Sequence, residues 1–136
     1  MGTILLDSYQ LKNGNDVVSL SITIGYAQLG ATSVSLNGQP FLKPAVSQNG
    51  KPVLPDKDGN YPGSFALELD ENQNLVGKQL SVVASVSRIQ PDKEWTSLTV
   101  ALSGGVEARL YPVLKEKIAA VGGWLTYVAI IDLTGD

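Results

Sequence analysis

A chain of 136 residues with 10 Lys+Arg, 13 Asp+Glu and a net charge of −3 fits one domain of ordinary size. It has no His and no Cys, which removes disulfides, thiolate nucleophiles and imidazole chemistry. Lys and Arg form no cluster, so phosphate neutralisation and hence nucleic-acid binding are not expected.

Thr3 to Leu11 reads as a first strand, closed by Asn13-Gly14, a tight-turn pair that tolerates positive φ. Val17 to Gln28 is the clearest strand. Val18, Leu20, Ile22 and Ile24 alternate with Val17, Ser19, Ser21 and Thr23, the two-residue period of a half-buried strand. Gly30 breaks the run, Thr32 to Leu36 resumes it, and Asn37-Gly38 turns the chain again.

Residues 39–63 carry five of the seven prolines, Pro40, Pro44, Pro52, Pro55 and Pro62. Proline lacks the ladder N–H, so this stretch reads as a Pro-rich insertion or edge hairpin, pairing Ala45-Val46-Ser47 with Pro52-Val53-Leu54. Phe65, Leu67 and Leu69 mark the next strand, and Asp70 to Asn74 a polar loop. Gln79 to Ile89 and Trp95 to Ser103 follow, with Ser81, Ser85 and Ser87 on a wet face. They read as a hairpin with a charged connection.

Val106 to Tyr111 is a short strand. Pro112 to Val121 reads as one short helix: Pro112 suits its first position, Leu114, Ile118 and Val121 its apolar stripe, and Gly122 its end. Trp124 to Leu133 is apolar on both faces, as a covered central strand is, with Trp124 in the core and the helix as cover.

The sharpest chemical motif is Asp56-Lys57-Asp58-Gly59-Asn60. Oxygens of Asp56, Asp58 and Asn60 at alternate positions suit a hard cation such as Ca²⁺, although Asp, Asn and Gly also simply make turns. An EF-hand is excluded, because Tyr61 stands where that loop needs Gly and Leu67 where it needs Glu. Trp95, Tyr61 and Phe41 are the aromatic candidates for contact with a ligand or partner. Glu68, Glu107 and Asp132 are the carboxylates a hydrolase would pair, and solvated strand charges otherwise. No Ser-x-x-Lys or Gly-x-Ser-x-Gly motif accompanies them.

The expected fold is a single all-β domain over 1–136, an antiparallel β-sandwich of about 7–9 strands with one helix near 112–121. Its general architecture is expected to be immunoglobulin-like or C2-like, a fold-level likeness that says little of function. The function expected is that of a non-enzymatic structural or protein-interaction module. Its partner is another protein or a second copy, met through a sheet edge, a Ser/Thr-rich face or the 39–63 insertion. The alternative is a carbohydrate-binding module, Ca²⁺-dependent through the 56–60 loop; otherwise no cofactor is implied. No run of about 18 apolar residues predicts a membrane span. Met1 to Asp7 lacks the basic start and apolar length of a signal peptide. A soluble protein is expected, and an extracellular setting or a surface or phage-like assembly suits such a module.

Overall fold

The computed structural model describes residues 2–135. Seven long strands build two packed sheets: β1 (Gly2–Gln10), β2 (Val17–Ile24), β3 (Leu29–Leu36), β8 (Phe65–Glu71), β9 (Gln79–Ser87), β10 (Trp95–Ser103) and β13 (Trp124–Thr134). Six short strands fringe them: β4 (Gln39–Pro40), β5 (Ala45–Ser47), β6 (Pro52–Val53), β7 (Asn60–Pro62), β11 (Arg109–Leu110) and β12 (Leu114–Lys117). A single turn of helix, α1 (Asn72–Leu75), follows β8. The protein is a β-sandwich. The first sheet runs β1-β13-β9-β3-β4, with β7 also on β3; the second runs β11-β10-β2-β8-β5-β6, with β12 also on β10. Long-strand pairing is antiparallel except between β1 and β13, which run parallel.

Strict alternation puts one side of each long strand into the core. Val18, Leu20 and Ile22 of β2, Leu67 and Leu69 of β8, and Leu98, Val100 and Leu102 of β10 face Leu80, Val82, Ala84 and Val86 of β9. The β13 side chains Leu125, Tyr127, Ala129, Ile131 and Leu133 complete that layer. Burying each Val, Leu or Ile side chain contributes roughly 1.5–3 kcal/mol, which drives the two sheets together. Buried polar side chains tie loops to this core. The Asn72 amide donates to Asp16 O and Gly104 O, each at 2.8 Å, and its oxygen accepts from Lys12 N at 3.0 Å.

The helix expected over 112–121 is absent; that segment contains β12, which pairs antiparallel with Trp95 to Leu98. Leu114 and Ile118 are four residues apart, a spacing that satisfies both a two-residue and a 3.6-residue period. Both are buried, Leu114 in β12 and Ile118 just after it, whereas Val121, the residue that would extend a helical stripe, is exposed. Nor do β9 and β10 form a hairpin, because they lie in opposite sheets and their connection crosses the end of the sandwich. Gly30 does not interrupt β3. It lies within the strand, paired with Val86, at a position where a Cβ would come within 2.6 Å of the Ile24 side chain. Trp124, expected in the core, is 67% exposed at the start of β13. Among the described residues no helix is long and apolar enough to cross a membrane.

Candidate interaction surface

The two sheets have four edges, and three are blunted. β4 ends in Pro40 and β7 in Pro62, beside β3. β6 begins at Pro52, after Lys51, outside β5. β11 and β12, separated by Pro112 and carrying Arg109, Lys115 and Lys117, lie outside β10. Short strands, prolines and lysines are the means by which sheets resist edge-to-edge pairing. The Pro-rich 39–63 stretch therefore closes one edge of each sheet, and 109–117 closes a third.

The fourth edge is β1, nine residues long, without proline and without charge until Asp7. Its backbone directions follow from its bonds. Leu11 N donates to Thr134 O at 2.8 Å and Tyr9 O accepts from Thr134 Oγ1 at 3.3 Å, so odd-numbered groups face β13. Even-numbered groups face outward. Ser8 O accepts from Arg109 Nη1 at 2.8 Å and Tyr111 OH at 2.7 Å, and Gln10 O accepts from Val106 N at 3.0 Å. Because strand backbone groups alternate, Gly2, Ile4 and Leu6 direct their N–H and C=O to the same open side. Among the described residues, nothing bonds the outward groups of Ile4 and Leu6 there.

The outer face beside this edge is apolar. Ile4 is 64% and Leu6 71% exposed. Register aligns Ile4 with Val128 and Val83, and Leu6 with Ile130 and Ser81. Among the described residues on the outward faces of β1, β13, β9 and β3 the one ionisable side chain is Asp132, which accepts from Gln79 Nε2 at 3.0 Å. Absence of charge around exposed Ile, Leu and Val is the composition of an interface centre.

A second feature lies where the β9–β10 connection crosses the end of the sandwich. Trp95 is 40% and Tyr26 37% exposed. The Lys115 ammonium lies 5.1 Å from the Trp95 ring and 5.5 Å from that of Tyr26, and Lys117 lies 5.1 Å from Trp95. Two buried side chains hold the surrounding loops. The Gln28 amide donates to Lys93 O and Trp95 O and accepts from Ile89 N and Gln90 N. The Arg88 guanidinium donates to the carbonyls of Gln90, Ile118, Ala119 and Pro91. Carbonyl dipoles thus satisfy a buried cation that would otherwise be very costly.

The remaining residues singled out from sequence are scattered. Tyr61 is fully buried, stacked on Phe65 at 4.8 Å, with its hydroxyl donating to the carbonyls of Phe41 and Lys43. Phe41 is half-buried against the core. Both pack inward, because the insertion folds back over the sandwich, so Trp95 alone of the three aromatics is exposed. Asp56 Oδ1 accepts from Asp58 N at 2.9 Å and Asn60 N at 3.0 Å, using the carboxylate to close its own turn. Among the described residues no group of three or more His, Cys, Asp or Glu is arranged to hold a metal. Glu68 projects from the outer face of the second sheet, Asp132 from that of the first, and Glu107 from the loop before β11, so the three share no cleft. Sequence reasoning passed over Ile4 and Leu6, although the consecutive Ile4-Leu5-Leu6 leaves apolar groups on both faces of one strand.

The class defined by this fold and surface is a two-sheet β-sandwich with one open strand edge. Comparison of the chain with protein families, curated proteins and solved structures finds no match.

Proposed function

We propose that this protein is a non-catalytic interaction module that receives an extended strand of a protein partner along β1. The observation that carries the reading is the contrast between edges: three are closed by short strands with proline or basic residues, and β1 is long, apolar and open. Strand addition draws affinity from main-chain hydrogen bonds and selectivity from alternate side chains. The outward groups of Gly2, Ile4 and Leu6 supply the first, and the exposed side chains of Ile4 and Leu6 the second. The separation of Glu68, Glu107 and Asp132 supports a binding role over hydrolysis.

The test compares co-purification from the source cells by wild type, Ile4→Pro and Val121→Lys. Ile4 directs its N–H outward, so proline there removes no bond to β13. A partner kept by wild type and Val121→Lys and lost by Ile4→Pro supports the reading. Equal recovery by all three overturns it.

A further inference from the structure

We propose that the strand received by this edge is β1 of a second copy of the same chain, antiparallel, with a two-fold axis through Ile4; this rests on the strand-addition reading above. The open stretch is bounded. At Ser8 the outward carbonyl is already taken by Arg109 and Tyr111, each within 2.8 Å, and Ser8 N faces Asp7 Oδ1 at 2.8 Å. Among the described residues that leaves Gly2 to Leu6, whose outward-directed residues are Gly2, Ile4 and Leu6.

An antiparallel ladder sets outward residue against outward residue. The register that engages the outward side of β1 at Gly2, Ile4 and Leu6 and leaves Ser8 alone places Ile4 opposite Ile4 of the second copy, and Gly2 opposite its Leu6. This register is its own mirror under a two-fold rotation, as a closed dimer requires. It makes about six backbone hydrogen bonds, two at each paired position.

Side chains agree with it. Gly2 to Leu6 carries no charge, so no like charges are brought together across the axis. The first charged residue, Asp7, lies beyond the ladder and is paired with Arg109. Ile4 and Leu6 of both copies meet side by side on one face, where they extend the apolar row of Val128 and Ile130 across the axis. At one hydrogen bond per 100–200 Å² of interface, about six bonds correspond to roughly 600–1,200 Å² in total, at the lower limit of specific interfaces. A reversible dimer that forms at micromolar concentration and above is therefore expected.

The experiment uses the full chain. Sedimentation velocity from about 1 to 200 μM is expected to show the mass rising from 14.4 kDa toward twice that value. Ile4→Pro stays monomeric. Because the chain has no cysteine, Ile4→Cys gives a unique thiol. The two-fold brings the two Cα atoms at position 4 to about 5.5 Å, within disulfide reach, and the two at position 6 well beyond it. Mild oxidation should cross-link Ile4→Cys and leave Leu6→Cys monomeric. Equal cross-linking of both, or dimers of undiminished affinity with Ile4→Pro, overturns the proposal.

Amide exchange separates the two readings. A strict monomer whose Ile4 and Leu6 amides exchange rapidly overturns the second copy and leaves the edge free for a foreign strand. A strict monomer in which both amides are protected overturns strand addition as well.

Discussion

Arg109 Nη2 lies 2.8 Å from Asp7 Oδ2, and this pair marks the point where the open edge of β1 ends. The same guanidinium donates to Ser8 O and stacks over Tyr111 at 4.6 Å, so one side chain from the opposite sheet occupies the outward side of the strand. The pair is partly exposed, and its ionic attraction contributes at most about 1 kcal/mol. Its larger effect is geometric, because it stops an incoming strand at Leu6. Arg109→Ala is expected to cost under about 1 kcal/mol in urea unfolding while increasing self-association in sedimentation, since with fewer donors on the Ser8 carbonyl the variant gains a second register that sets Ser8 opposite Gly2. Unchanged association at a normal stability would show that the Arg109 side chain is not the stop.

Stability should fall on the alkaline side. Burial pushes the Tyr111 hydroxyl up to about 12, and burial also raises Tyr61 and Tyr127 above the usual phenol range. A phenol raised in the folded state holds its proton where the unfolded chain has lost it. The contribution is therefore complete below pH 10 and is lost as pH rises through the folded value. For Tyr111 the shift corresponds to roughly 2–3 kcal/mol, fully lost above about pH 12. Melting temperature against pH, read with phenolate absorbance, should drop between about pH 10 and 12, and Tyr111→Phe should flatten the drop. An unchanged slope in Tyr111→Phe would assign the effect to the other two phenols.

The core is the part of this fold most legible in sequence. Val18, Leu20, Ile22 and Ile24 alternate without exception, and the same residues are buried. Period alone assigns a strand to a face but not to a sheet. The Ser-rich face of β9 looks the same whether β10 lies beside it or across the sandwich, and the crossover depends on Gln28 and Arg88 binding distant carbonyls. Leu114 and Ile118 mislead because their spacing fits either period, and pairing with Trp95 to Leu98 decides for the strand. Of the surface, the aromatic Trp95 is visible in sequence, but the open edge is not. Its openness is a property of what the other three edges contain.

Calcium should leave the protein unchanged. Asp56, Asp58 and Asn60 lie on one loop, yet the Asp56 carboxylate is turned back on the N–H groups of Asp58 and Asn60. A cation there would compete with two hydrogen bonds that close the turn. A ligand that prefers the folded state raises the melting temperature by mass action. An EDTA-treated sample and one in millimolar Ca²⁺ are expected to melt within about 1 °C of each other. A clear rise with Ca²⁺, abolished by Asp58→Asn, would establish a metal site in the loop and revive the carbohydrate-binding reading.

The turn between β2 and β3 stores strain that a single substitution can release. Tyr26 has φ 59° and Ala27 φ 55°, both in the left-handed region that disfavours a Cβ. A two-residue turn with both central residues at positive φ ordinarily uses Asn or Gly. Here Gln28 imposes it: its four hydrogen bonds fix the chain just after the turn, and Gly25 N donates to Ser97 O at 3.1 Å just before. Ala27 is exposed and makes no core contact, so removing its Cβ leaves packing intact. Ala27→Gly should relieve about 1 kcal/mol of backbone strain, partly offset by the greater freedom of glycine in the unfolded chain. The net effect expected is a rise in melting temperature of a few degrees, roughly 1–3 °C. Tyr26→Gly releases the same kind of strain but also removes a ring that lies 5.5 Å from Lys115, so its gain should be smaller. A fall in stability for Ala27→Gly would mean that the left-handed turn costs less than the entropy of the glycine replacing it.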